Sequence, residues 1–236
     1  MIQNKKNQKK PRLIFFLRLY DGFESSFFQK KWRPKGVPTI VHLIEKIDKS
    51  DWNVKFVFTK FNENESKTFS NSEYDKKITG LNNKINIIRN QFDNKRLRRI
   101  KNIFYFLKRI IIYLNLSLRF KPDLIYIDRS HAFEGAIFSR FWKFNVFLRI
   151  MGVGVYDITS LKKQRFRFSL FKWIFKSPFK YVLFSQDGSD NIKWSKKFLN
   201  NKVESIGLIN GVNKQSEPKK NLKKEFKNKI LILFVG

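Results

Sequence analysis

The residues best suited to chemistry stand in short clusters: Asp21-Gly22, Asp128 to His131 (DRSH), Arg149 to Gly154 (RIMGVG), Ser185 to Gly188 (SQDG) and Asn210-Gly211. Each follows an apolar run of strand type, so each falls where a strand gives way to a loop. Arg149 is the most pointed of them. A guanidinium near the end of an apolar strand is costly to bury unless it is paired or meets a ligand, so Arg149 is a candidate substrate or phosphate contact, with an ion pair as the alternative. His131 has no evident partner in the sequence and reads as readily as a satisfied polar residue as a catalyst. Ser185 can cap the turn that follows it, and Asn210-Gly211 suits a turn because both residue types tolerate positive φ. The chain has no Cys and 2 His, which excludes thiolate sites and argues against zinc, so no metal site is expected.

Holding these clusters in place takes alternating strands and helices. Leu13 to Arg18 is a short apolar strand, and Pro38 to Ile47 carries Ile40, Val41, Leu43, Ile44 and Ile47 at helical spacing. Trp52 to Thr59 alternates as a strand. Residues 61 to 80 are polar and predict a mobile loop, and Lys84 to Ile88 is the next strand. Lys95 to Leu118 is the longest helix and Pro122 stops it. Strands at Asp123 to Asp128, Asn145 to Met151, Tyr181 to Ser185 and Val203 to Ile209 then alternate with helices at Ala132 to Phe141, Lys162 to Lys176 and Asp190 to Leu199. At least six strands alternating with helices predict an α/β fold, a doubly wound Rossmann-like parallel sheet, in which ligands gather outside the carboxyl ends of the strands.

At 236 residues, 42 % of them hydrophobic, the chain can bury the core of one α/β domain of ordinary size. Its end suggests more. Lys202 to Asn213 reads KVESIGLINGVN, a charged stretch follows, and the closing KILILFVG has the form of a first strand entering a Gly-led turn. The expected division is one complete domain over 1–213, a linker over 214–229, and the first strand of a second domain over 230–236. The apolar run Leu13 to Leu17 is too short for a signal-peptide core. The longest uncharged apolar stretch, Ile110 to Leu118, is about half of the roughly 18–20 residues that cross a bilayer. A cytoplasmic chain, soluble or peripheral on a membrane, is therefore expected.

The charge is extreme: 50 Lys and Arg against 19 Asp and Glu, a net +31. Such a field attracts nucleic acid, anionic lipid headgroups or phosphorylated substrates. Codon bias toward Lys, Asn, Ile and Phe is the bland alternative. On a helical wheel of Lys95 to Leu118, the face built from Leu97, Ile100, Ile103, Phe104, Leu107, Ile110, Ile111, Leu114 and Leu118 predicts a core-facing crossover helix. Tyr105, Phe106, Ile112 and Tyr113 fall on the opposite side, with Arg98 and Arg99 away from the apolar centre. Together with Arg165, Arg167 and Trp173 in KKQRFRFSLFKWIFK, they predict a basic-aromatic surface suited to an anionic bilayer. Nucleic acid is the weaker partner, since no helix-turn-helix, RRM signature or zinc finger is present.

The order of these pieces, a loop DGFE, the strands DLIYID, LRIMG and YVLFSQ, the segment LINGVN and a linker into ILFVG, resembles the family-4-type glycosyltransferases of the GT-B fold over nearly the whole chain. The sharpest element is Asn210-Gly211-Val212, similar to the Asn-Gly-Val-Asp turn that closes the N-terminal domain in that family. The resemblance implies two facing Rossmann-like domains, of which this chain holds the acceptor-binding one. Gly22 stands for one glycine of the family's Gly-Gly loop, where backbone N–H groups approach the donor diphosphate. Asp128 stands where the family often has a His beside the reacting sugar, which implies a catalytic role for it. Met151-Gly152 replaces a frequent His-Gly, and Ser185 matches a strand-terminal Ser. Arg149, Gly152, His131 and Arg129 are the implied acceptor contacts.

The implied function is transfer of a sugar from a nucleotide-sugar to a cell-envelope glycan or lipid-linked acceptor. No cofactor beyond the donor is implied, because helix N-termini and basic side chains neutralise the leaving diphosphate in such enzymes. Most of those groups belong to the family's second domain, so the chain as it stands is expected to bind nucleotide-sugar weakly and to transfer negligibly. Two other readings stay open: a non-catalytic basic protein bound to membrane or nucleic acid, and an inactive fragment. The reading frame beyond Gly236 separates the last of these from the enzyme.

Overall fold

The apolar runs become the strands of one eight-stranded sheet. The structure is a computed structural model that describes residues 9–20, 22–36, 38–60, 73–89, 98–151, 165–185 and 191–208. Its strands are β1 (Arg12–Arg18), β2 (Asn53–Lys60), β3 (Glu73–Lys76), β4 (Ile85–Arg89), β5 (Leu124–Asp128), β6 (Val146–Met151), β7 (Tyr181–Ser185) and β8 (Glu204–Leu208). They lie in the order β3-β4-β2-β1-β5-β6-β7-β8, all parallel except β3, which runs antiparallel to β4. The helices are α1 (Glu24–Phe28), α2 (Pro38–Asp48), α3 (Arg98–Phe120), α4 (Ala132–Phe141), α5 (Arg165–Phe175) and α6 (Asn191–Phe198). This is the doubly wound, Rossmann-like α/β sheet expected from the sequence.

The pleat sends alternate side chains to opposite faces. Leu13, Phe15 and Leu17 of β1 pack with Phe23, Phe27, Ile40 and Ile44, under α1 and α2. Ile14 and Phe16 pack with Tyr113, Phe138, Phe175 and Trp194, under the remaining helices. Central strands buried on both faces must be apolar almost continuously, which is why they were legible as runs.

Two elements differ from expectation. The polar stretch expected as a loop over 61–80 contains β3 and a bridge from Thr79 to Lys31, and Ile78 is fully buried there. Ile78 and the backbone bonds of Thr79 with Lys30 and Trp32 seat the end of this stretch beside Trp32. Helix α1 is too short to show a period, yet it buries Phe27.

Helix α3 is rotated relative to expectation: Ile110 and Leu114 of the expected inward face do pack against the core, but the rest of that face among the described residues does not. Ile103, Phe104, Leu107, Ile111 and Leu118 are between 48 and 66 % exposed, whereas Tyr105, Arg109, Tyr113 and Ser117 are buried. Tyr113 stacks on Phe16 with ring centroids 3.8 Å apart, and the Arg109 guanidinium is ion-paired with Glu134 of α4. The inward stripe at i, i+4, i+8 and i+12 is thus polar-tipped, and the aliphatic stripe faces out. Tyr105 and Tyr113 are therefore not surface aromatics. Phe106 and Trp173 are half-buried on either side of Phe133, at 5.0 and 5.5 Å between centroids, so they join α3, α4 and α5 rather than face a bilayer. Arg165 and Arg167 are exposed as expected. The side chains of Arg98 and Arg99 lie outside the described residues, as do Gly152, the Asn210-Gly211-Val212 turn, the linker 214–229 and the strand 230–236. No helix among the described residues is long and apolar enough to cross a membrane.

Candidate functional site

Strand order reverses at β1: β2 and β4 lie on one side, β5, β6 and β7 on the other. The carboxyl ends of β1 and β5 therefore flank the topological switch point, where open α/β sheets form a ligand crevice. Asp128, the last residue of β5, occupies it. Its Oδ2 accepts from Arg18 N at 3.0 Å and from the Tyr20 hydroxyl at 3.1 Å, which joins the two strand ends. Its Oδ1 caps the turn Arg129–His131, accepting from Ser130 N at 3.0 Å, from the Ser130 hydroxyl and from His131 Nδ1 at 2.8 Å.

His131, without an evident partner in the sequence, is fully buried and held at both ring nitrogens. Its Nε2 lies 2.7 Å from Thr59 Oγ1 at the end of β2, so one imidazole ties β2 to the turn after β5. Burial works against a charged Asp128, but His131, Ser130 and Arg18 N together outweigh it and lower its carboxyl to about 2. Burial, reinforced by that carboxylate, pushes the Tyr20 hydroxyl far above its ordinary range, so it stays a donor. Asp128 is an ionised anchor at neutral pH. It has no proton to give, and its lone pairs are already engaged.

Arg149 stands in register with Asp128 on the next strand. Its guanidinium is 1 % exposed and donates from Nε and Nη2 to Ser185 Oγ, at 3.1 and 3.0 Å, and from Nη2 to Thr39 Oγ1 at 3.1 Å. Ser185 is thus a partner of Arg149 from β7, and Thr39 reaches in from the first turn of α2. Arg129 is exposed on the turn beside Asp128.

Gly22 follows β1 at the same edge of the sheet, and its missing side chain has a local structural use. At φ +89°, a Cβ there would lie 2.2 Å from the carbonyl oxygen of Lys35, whose own N–H donates to Gly22 O at 3.0 Å. The glycine admits a neighbouring backbone, and a Gly22→Val change would damage the fold. Sequence reasoning missed Tyr20, Thr39, Thr59 and Tyr126, whose roles come from partners distant in the chain. Tyr20 alone left a trace, as an aromatic directly after a strand in front of Asp21-Gly22.

No protein-family model and no curated protein sequence matches this chain. Among solved structures, sucrose-phosphate synthase from Thermosynechococcus elongatus is similar with a TM-score of 0.50 at 14 % identity, over 86 % of this chain and 49 % of that one. UDP-GlcNAc 2-epimerase from Methanocaldococcus jannaschii is similar with a TM-score of 0.46 at 13 % identity, over 82 % and 45 %. The architecture is that of a GT-B-type Rossmann-like domain. The chain spans about half the length of either protein.

Proposed function

We propose that this GT-B-type domain is the acceptor side of a glycosyltransferase that moves a sugar from a nucleotide-sugar to a cell-envelope glycan or lipid-linked acceptor. The observation that carries this reading is the coincidence of the Asp128–His131 cluster and the buried Arg149 with the switch-point edge of the sheet. Sucrose-phosphate synthase, which is similar in fold, is named for a sugar phosphate that it makes, in keeping with a sugar-transfer reading. In this reading Asp128 and His131 are positioning residues that hold the Arg129–His131 turn. Arg149 and exposed Arg129 meet the acceptor, and a second domain supplies most of the donor contacts. The protein made from the whole reading frame, incubated with nucleotide-sugars and a membrane extract, should transfer sugar to an extractable acceptor, and Arg149→Met should abolish it. Failure of every nucleotide-sugar to be consumed would remove the reading.

A membrane location belongs to the same proposal, on a different surface from the one the sequence suggested. The outward stripe of α3, Ile103, Phe104, Leu107, Ile111 and Leu118, has exposed Lys108 and Arg119 on the same helix. An anionic bilayer fits it: a net +31 opposes a second copy of the chain and attracts lipid phosphates. The protein should sediment with anionic vesicles, less so as salt shortens the screening length from about 10 Å at 0.1 M to about 3 Å at 1 M. Ile111→Glu should abolish sedimentation. Equal binding to neutral vesicles, or dimerisation through the stripe, would assign it to another occupant.

A further inference from the structure

We infer that the acceptor carries an oxyanion, a phosphate or a carboxylate, and that Arg149, Thr39, Ser185 and Tyr126 bind it. The assignment of the anion to an acceptor rests on the reading above; the subsite itself rests on the geometry.

A buried guanidinium needs an anion, and among the described residues Arg149 has none: its hydrogen-bond partners there are the neutral hydroxyls of Ser185 and Thr39. The carboxylate nearest in register, Asp128, is engaged by Arg18 N, Tyr20, Ser130 and His131. The same molecule shows the structural alternative: Arg109, 4 % exposed, is ion-paired with Glu134.

The hydroxyls around Arg149 are placed to donate. Ser185 and Thr39 accept from the guanidinium with their oxygens, so their own protons are left to donate, and neither has an acceptor among the described residues. Tyr126, two residues before Asp128 on the same face of β5, is 5 % exposed, and its hydroxyl, which lies beside the Arg149 guanidinium, has no acceptor among the described residues. Burial pushes that hydroxyl up to about 12 despite the opposing Arg149 charge, so it too is a donor at neutral pH. Thr39 stands in the first turn of α2, an eleven-residue helix with no acidic residue in that turn to answer the positive end of its dipole. A cation, hydroxyl donors and a helix N-terminus without an acceptor among them are the complement of an oxyanion.

The test uses the 236-residue chain and inorganic phosphate, with acetate as the carboxylate probe and chloride at equal ionic strength as the control. The side-chain Nε–H resonance of Arg149, assigned by its absence in Arg149→Met, should shift saturably with phosphate and not with chloride. A parallel response to acetate identifies a carboxylate-tolerant site, and its absence a phosphate-selective one. Arg149→Met should melt at or above the wild-type temperature in chloride, because it removes an unneutralised buried charge, and phosphate should no longer raise its melting temperature. Tyr126→Phe, which preserves the ring, should weaken phosphate binding on the order of 10-fold. An Arg149 resonance that ignores both phosphate and acetate overturns the subsite, even if sugar transfer is observed. Saturation by either anion sustains it, even if the transferase assay fails. Full-length enzyme that glycosylates neutral and charged acceptors equally would overturn the assignment of the anion to the acceptor.

Discussion

Asp128→Asn tests the reading of the switch-point cluster most directly. The substitution keeps the shape of the side chain and an acceptor for Tyr20 and Arg18 N, removes the negative charge that faces His131, and turns an amide NH2 toward Ser130 N, an added cost that does not change with pH. The carboxyl of Asp128 is lowered from 3.8 to about 2, so the fold favours its ionised form by about 2 kcal/mol. A depressed carboxyl contributes its full stability above the unfolded value and loses it as pH falls through the folded one. The wild type should therefore exceed Asp128→Asn by at least about 2 kcal/mol near neutral pH, with about 2 kcal/mol of the gap lost between about pH 4 and about pH 2. Urea unfolding of both proteins across that range measures it, and taking the difference removes the acid response of the other carboxylates. A gap that does not change with pH, or none at neutral pH, would refute the account of Asp128 as a charged anchor. A carboxyl this acidic is no general acid near neutrality, so any loss of turnover in the variant should come through the position of the Ser130–His131 turn.

Glu134→Gln should cost about 3–5 kcal/mol in chemical denaturation by leaving the Arg109 guanidinium buried without its anion, while the double change Arg109→Met with Glu134→Leu should come close to wild type; additive losses would contradict a buried pair. Ile111→Lys should change stability by no more than about 0.5 kcal/mol, and Tyr113→Ala should cost about 3–5 kcal/mol; the reverse ranking would restore an inward aliphatic face to α3. Gly22→Ala should cost at least about 1–2 kcal/mol from backbone strain alone, with the contact to the Lys35 carbonyl adding to it, and an unchanged melting temperature would show that neither constraint holds.

The strands of this protein are written locally. A strand buried on both faces has to be apolar almost throughout, so DLIYID, NVFLRIM and YVLFS could be recognised without knowing their neighbours, and their alternation with helices led directly to a doubly wound sheet. That sheet type in turn put Asp128, Arg149 and Ser185 at carboxyl ends of strands before any contact was known. What the sequence could not carry is which groups meet there. His131 finds Thr59 72 residues away, Arg149 finds Thr39 110 residues away, and Asp128 finds Tyr20 108 residues away. Helix α3 makes the same point in its orientation. The apolar side of a helix records where hydrophobic residues concentrate, but the side that turns inward depends on what the sheet and the next helix offer. Here a ring to stack on at Phe16 and a carboxylate at Glu134 drew in Tyr113 and Arg109 and left the aliphatic stripe outside. Tertiary structure decides such matters because stacking, ion pairing and hydrogen bonding depend on distances of a few ångströms between residues far apart in the chain, whereas periodicity reports only on neighbours.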